Sequence, residues 1–204
     1  MKARFIFYSI GMILLTLGVS LIIKSQLGAS AWDALAVGQS NLFHMTVGTC
    51  VFINGIVLIF LNAFLMRRRP QILAALSILV IGMLIDFWLL IALEHLVPTA
   101  LLWKWLILLI GIIITGIGVS IYLQAKFPAS PMDTLMVAIQ SRFGFNLRNS
   151  RILSESFALL LAILFKGAIG IGTIVVTLSL GFVVQFFFPK FQQLLEQWQD
   201  VKHL

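Results

Sequence analysis

Cysteine, histidine and charge are all scarce in this chain of 204 residues. Its one cysteine, Cys50, lies in an apolar run, which excludes a disulfide framework and any multi-cysteine metal site; a small buried hydrophobe is the expectation. The three histidines, His44, His95 and His203, stand far apart, so neither zinc-ligand spacing nor a Ser-His-Asp set is suggested. No nucleophile is paired with a base by any recognised spacing, which argues against an enzyme, and no glycine-rich phosphate loop or dinucleotide fingerprint calls for a cofactor. Only 10% of residues are charged, 14 Lys and Arg against 7 Asp and Glu, too few to cover a water-soluble globule.

Apolar residues make up the balance. They reach 61% of the chain, with a mean hydropathy of +1.09, well above the 45 to 50% of soluble domains. A hydrocarbon core of about 30 Å needs about 20 helical residues, and six stretches come near that length: 5–23, 46–66, 72–93, 101–123, 152–165 and 169–188. Helix is expected throughout, since lipid cannot satisfy an open backbone. The fifth stretch is the shortest and opens on Ser154, Glu155 and Ser156.

The net charge of +7 does not read as a nucleic-acid surface, because the basic residues form short clusters between apolar stretches. They suit membrane orientation instead. With six spans, Lys2, Arg4, Arg67, Arg68, Arg69, Lys126, Arg142, Arg148, Arg151, Lys190 and Lys202 fall on the side of both termini, and Lys24, Lys104 and Lys166 on the other. The excess marks the cytoplasmic side, which predicts cytoplasmic termini in a bacterial plasma membrane. Trp88, Trp103 and Trp105 are then expected at the outer interface and Trp198 at the inner one. The N-terminal segment mimics a signal peptide, with Ala29-Ser30-Ala31 as its small-residue site, yet its length favours retention as a span.

The same small-residue segment recurs a hundred residues later. Gly18 to Leu35 aligns without gaps on Gly118 to Leu135, with Gly, Val, Ser, Ala, Ser, Asp and Leu identical. Further along, Asn54 matches Ser154, one residue before Glu155; at an offset one shorter, Asp86 parallels Gln185. Two copies of three spans each predict an all-α polytopic membrane protein built as two inverted three-helix repeats, 1–97 and 98–204, forming one membrane domain. Glycines 111, 116 and 118 then read as sites of close helix packing.

Within the repeat, Ala29-Ser30-x-x-Asp33 and Ala129-Ser130-x-x-Asp133 read first as capping boxes, and Pro131 suits a first helical position. Short helices over 31–42 and 131–143 follow, each broken from the span before it near Gly28 or Pro128. Capping alone accounts for the pattern; so does a pair of half-helices that enter the membrane and point their starts at a polar ligand. Helices lying at the interface are a third reading. Ionisable groups within spans are functional candidates by default, which adds Asp86, expected near Lys24, Asn54 or Asp33, and Glu155, expected beside Arg151. The substrate-lining candidates are Ser30, Asp33, Asn54, Asp86, Ser130, Asp133, Glu155 and Gln185. Arg67-Arg68-Arg69-Pro70 is a topology anchor first and a contact for anionic lipid second.

The duplicated Gly-x-Ser-x(8)-Ala-Ser-x-x-Asp segment, with the polar loop before the fifth span, resembles the YczE/YyaS/YitT-like family of bacterial inner-membrane proteins. The resemblance implies a polytopic plasma-membrane protein with a transport role and supplies no substrate or catalytic residue. The leading expectation is a small inverted-repeat secondary transporter for a small polar solute, with Asp86 and Glu155 tuning charge or coupling protons. Besides the lipid bilayer, a second copy of the chain is a candidate partner, to help enclose a pathway. The alternative is a non-transporting scaffold or maturation partner that recruits another enzyme through the tail from Phe191 to Leu204, with Leu194, Leu195 and Trp198 forming a short docking helix.

Overall fold

The computed structural model describes residues 2–125, 127 and 130–200. The roles expected of Lys126, Pro128, Ala129, Lys202 and His203, and the interfacial position of the Trp198 side chain, lie outside the described residues. Those residues form α1 (Lys2–Lys24), α2 (Ala31–Phe43), α3 (Val47–Met66), α4 (Ile72–Phe87) with a π-helical turn (Trp88–Ala92), α5 (Leu101–Gln124), α6 (Pro131–Phe143), α7 (Leu147–Leu164) and α8 (Ile171–Asp200). Each short helix therefore follows a long one, where the repeated segment predicts it.

Five helices are long and apolar enough to cross a membrane: α1, α3, α4 with its π turn, α5 and α8. The stretch read as a fifth span is α7. It begins at Leu147, five residues before the apolar run, because Asn146 caps it by accepting from the Asn149 amide at 2.8 Å. The added turn brings Arg148, Asn149 and Arg151 into the helix.

The centre of the molecule is the packing of α1 on α5. Gly11 lies against Tyr122, Gly18 against Thr115, and Gly111 against Ile22, so the two helices run antiparallel. The contact is also reciprocal: Gly118 meets the backbone of Leu15 as Gly18 meets that of Thr115. A methyl group at either Gly18 or Gly118 would run into the opposing main chain, so glycine sets the interhelical distance here. Cross-packing continues outward. α2 packs on α3 and α7, and α6 packs on α7 and α3. One buried cluster, including Ile22, Trp32, Leu35, Leu58, Leu108, Leu135, Ala158 and Val176, draws on both halves of the chain.

The last helix of each half behaves differently. α4 lies along α3, where Gly48 and Gly82 bring the two backbones together and Gly55 receives Ile78. α8 instead packs on α5: Val183 fills the space at Gly116, and the Ser120 hydroxyl donates to the Val184 carbonyl at 3.3 Å. Ser20, the counterpart of Ser120 in the repeat, is fully buried and its hydroxyl has no partner.

α8 also outruns its apolar stretch. It passes through Pro189, whose missing N–H and ring disturb the preceding turn. Side chains of α5 serve carbonyls in that turn, Gln124 donating to Phe188 at 3.1 Å and Ser120 to Val184. The tail read as a separate docking helix is therefore the end of α8. Leu195 is buried against Phe7 and Ile121, with Phe191 packed alongside, although Leu194 faces outward. Trp88 donates to Thr16 of α1 at 3.2 Å, and Trp103 is exposed.

Candidate functional site

Both short helices begin as the repeated Ser-x-x-Asp segment dictates, and then diverge. At α2, the Ser30 hydroxyl oxygen accepts from the Asp33 amide at 3.3 Å while its O–H donates to Asp33 Oδ2 at 2.6 Å. The carboxylate thus holds the capping hydroxyl, where a capping box would send it to the backbone amide of the cap. Ahead of this helix, Gly28 has φ of 117°, and Leu27 and Ala29 join the α7–α8 connection through Gly172 N to Leu27 O at 2.8 Å and Ala29 N to Ala168 O at 2.9 Å. A side chain at Gly28 would meet Gly170 and Thr173.

At α6, Ser130 accepts from the Met132 amide at 3.3 Å, and Asp133 is held by a different residue: Tyr122 donates its phenolic O–H to Asp133 Oδ2 at 3.1 Å. Sequence reasoning missed Tyr122. The signal was present, since Tyr122 stands where the first copy has the apolar Ile22.

α7 brings the two starts into one field. Glu155, in the middle of α7, lies within electrostatic range of both Asp33 and Asp133, and Arg151 within range of Glu155 and Asp133. Asp33 and Asp133, from opposite halves of the chain, therefore both act on Glu155, and Arg151 acts on Glu155 and Asp133, while Ser30 and Ser130 stay with their own helix starts.

The remaining candidates lie elsewhere. Asn54 donates to Gln39 Oε1 at 2.7 Å, tying α3 to α2. Asp86 is not partnered by Lys24, Asn54 or Asp33. Its Oδ2 accepts from the Thr46 hydroxyl at 2.6 Å and its Oδ1 from the Gly48 amide at 2.7 Å, so it caps α3 from the neighbouring helix. The close approach of Gly48 to Gly82 makes that reach possible. Lys24 instead points to the Glu94 carbonyl at 3.4 Å. Gln185 is exposed on α8, because α8 leans on α5 and leaves α7. Among the described residues no group of three His, Cys, Asp or Glu is arranged to hold a metal.

The uncharacterised protein YyaS of Bacillus subtilis (strain 168) is 37% identical over 186 residues, covering 91% of this chain and 92% of the relative. The uncharacterised membrane protein YczE of the same organism is 34% identical over 195 residues, covering 94% and 88%. An uncharacterised protein of Haemophilus influenzae (strain ATCC 51907 / DSM 11121 / KW20 / Rd) is 33% identical over 174 residues, covering 85% and 78%. No solved structure matches the chain. Matched over residues 2–189 and carrying five helices fit to cross a membrane, the chain belongs to the family of unknown function DUF6198 and is a multi-pass membrane protein of the YczE/YyaS-like kind.

Proposed function

We propose that this protein is a small secondary transporter whose site lies between two inverted repeats, in a bacterial plasma membrane with both termini in the cytoplasm. The observation that carries the reading is that Asp33 and Asp133, from equivalent positions of the two copies, both lie within electrostatic range of Glu155. Supporting it are the antiparallel, reciprocal contact of α1 with α5 and the exchange by which α2 packs on α7 while α6 packs on α3. Sites of this architecture lie at the interface of the repeats, where broken helices are shielded from lipid.

On this reading α7 is the sixth crossing. Its 18 residues span about 27 Å, close to the hydrocarbon thickness. Leu160, Ile163 and Leu164 are exposed on its outer face, as a lipid-facing surface requires. Six crossings return the chain to its starting side and keep the basic clusters together.

The chemistry of the site favours a solute that is cationic or carries protons. Each helix start is already occupied by its own aspartate, which removes the helix N-terminus as a seat for an anion. Three carboxylates against Arg151 leave surplus negative charge for a small polar cation to neutralise. Proteoliposomes tested with a panel of amines, vitamins and organic acids, with and without a pH gradient, should show uptake above empty vesicles that Asp33→Asn reduces. Background uptake across the panel by folded protein would reject the proposal. Of the residues named for docking in the scaffold reading, Leu195 is packed inside the molecule and Leu194 is exposed.

A further inference from the structure

The arginine run after α3 and the first turn of α6 border a groove that the transport site does not use. Its inner part is a cavity of about 70 Å³ lined by Asn62, Met66, Arg68, Arg69, Pro131 and Thr134, with Ile59 and Ala74 at its apolar wall. Past Met66 and Arg68 it continues into a pocket of about 200 Å³ bordered by Arg67, Ser141 and Arg142. The inner cavity alone holds several times the room that one water needs.

Two independent features give this groove a ligand chemistry. First, four guanidinium groups border it and no carboxylate does among the described residues. Arg67, Arg68, Arg69 and Arg142 are all exposed, and among the described residues their guanidinium groups have no hydrogen-bond or ion-pair partner. Second, Asn62 is 4% exposed and its amide orientation is fixed, because Nδ2 donates to the Pro131 carbonyl at 2.8 Å. That leaves Asn62 Oδ1 buried with no donor, a group that bears its desolvation penalty uncompensated. Arginines alone would suit any anion. An orphan acceptor beside them asks for a ligand that also donates.

We propose that this groove binds a phosphate ester whose alcohol part carries a hydroxyl or ammonium donor: the arginines pair with the phosphate, and Asn62 Oδ1 accepts from the donor. A phospholipid headgroup and a soluble phosphate ester both present this chemistry. Guanidinium groups suit phosphate because their fixed fork matches its oxygens. Binding here is independent of transport, and the groove would be occupied whether or not a solute moves.

The test uses the full-length protein in nanodiscs of phosphatidylcholine mixed with either phosphatidylglycerol or phosphatidylmethanol, an equally charged lipid without free hydroxyls. Native mass spectrometry counts the lipids retained. Phosphatidylglycerol should be retained over phosphatidylcholine, and Arg68→Gln with Arg69→Gln should lower its retention about thirtyfold, as two lost headgroup contacts imply. Both arginines are exposed, so the variant keeps its buried packing. Asn62→Leu should erase the preference for phosphatidylglycerol over phosphatidylmethanol while leaving the preference over phosphatidylcholine. Displacement of the lipid by sn-glycerol 3-phosphate supports the proposal with a soluble ester as ligand, and resistance to displacement supports it with a lipid. Equal retention of phosphatidylglycerol and phosphatidylcholine overturns it. So does a loss no larger than that caused by Arg4→Gln with Lys190→Gln, or a hydroxyl preference that survives Asn62→Leu.

Discussion

Replacing Asp86 with alanine separates an architectural carboxylate from a transporting one. Asp86 accepts from the Thr46 hydroxyl at 2.6 Å and the Gly48 amide at 2.7 Å, joining the last turns of α4 to the start of α3. Hydrogen bonds to an ionised group contribute about 1.5–3 kcal/mol each. The negative charge at the start of α3 adds about 0.3–1 kcal/mol. Part of this is offset. Asp86 is only half-buried, and Thr46 keeps Thr49 as a partner at 2.7 Å when the carboxylate is gone. The net expectation for Asp86→Ala is a loss of about 2–4 kcal/mol. For a chain of this size each kcal/mol moves the thermal midpoint by about 2–4 °C, so the midpoint should fall by about 4–16 °C. Asp86→Asn keeps an acceptor for Gly48 and should lose less than half as much. Fluorescence-detected size-exclusion chromatography after heating in mild detergent measures both. An alanine variant as stable as the parent but devoid of uptake would refute the capping argument and return Asp86 to the transport path.

Other substitutions test the remaining contacts. Tyr122→Phe removes the donor to Asp133 and should destabilise by about 1–3 kcal/mol in the same assay, with no effect on α2. Gly118→Ala pushes a methyl into the Leu15 backbone and should cost about 1–3 kcal/mol, whereas Gly181→Ala meets nothing and should gain up to about 1 kcal/mol of helix propensity. Single cysteines at Gln26 and Phe127, both exposed, should react with impermeant maleimide from opposite sides of the membrane. Cys50, 2% exposed, gives little background, and labelling of both sites from one side would break the inverted arrangement.

The helix starts were legible in the sequence because their signals are local. Ser30 and Ser130 fix the short helices within two residues, and Thr46 does the same for α3. Gly111, Gly116 and Gly118 also announced close contacts, although their partners, Ile22, Val183 and Leu15, needed three dimensions. What stayed hidden depends on partners distant in sequence. Asp86 looked like a lone charge in a span because its acceptor role requires Gly48, 38 residues away, to come close. The end of α8 looked separate because Pro189 and Lys190 suggest a break, while the contacts that carry the helix onward belong to Phe7 and Ile121. The start of α7 is polar and capped by Asn146, so a search for apolar runs begins it too late.

Ser20 and Ser120 share a place in the repeat but not an energy. The Ser120 hydroxyl donates to the Gly116 carbonyl of its own helix at 2.7 Å and reaches Val184 of α8 at 3.3 Å, while that of Ser20 is stranded, a difference of about 1–3 kcal/mol between two copies of one segment. Two copies of one segment therefore differ in what their serine costs them: Ser20→Ala removes an unpaired buried hydroxyl, whereas Ser120→Ala breaks a contact between α5 and α8.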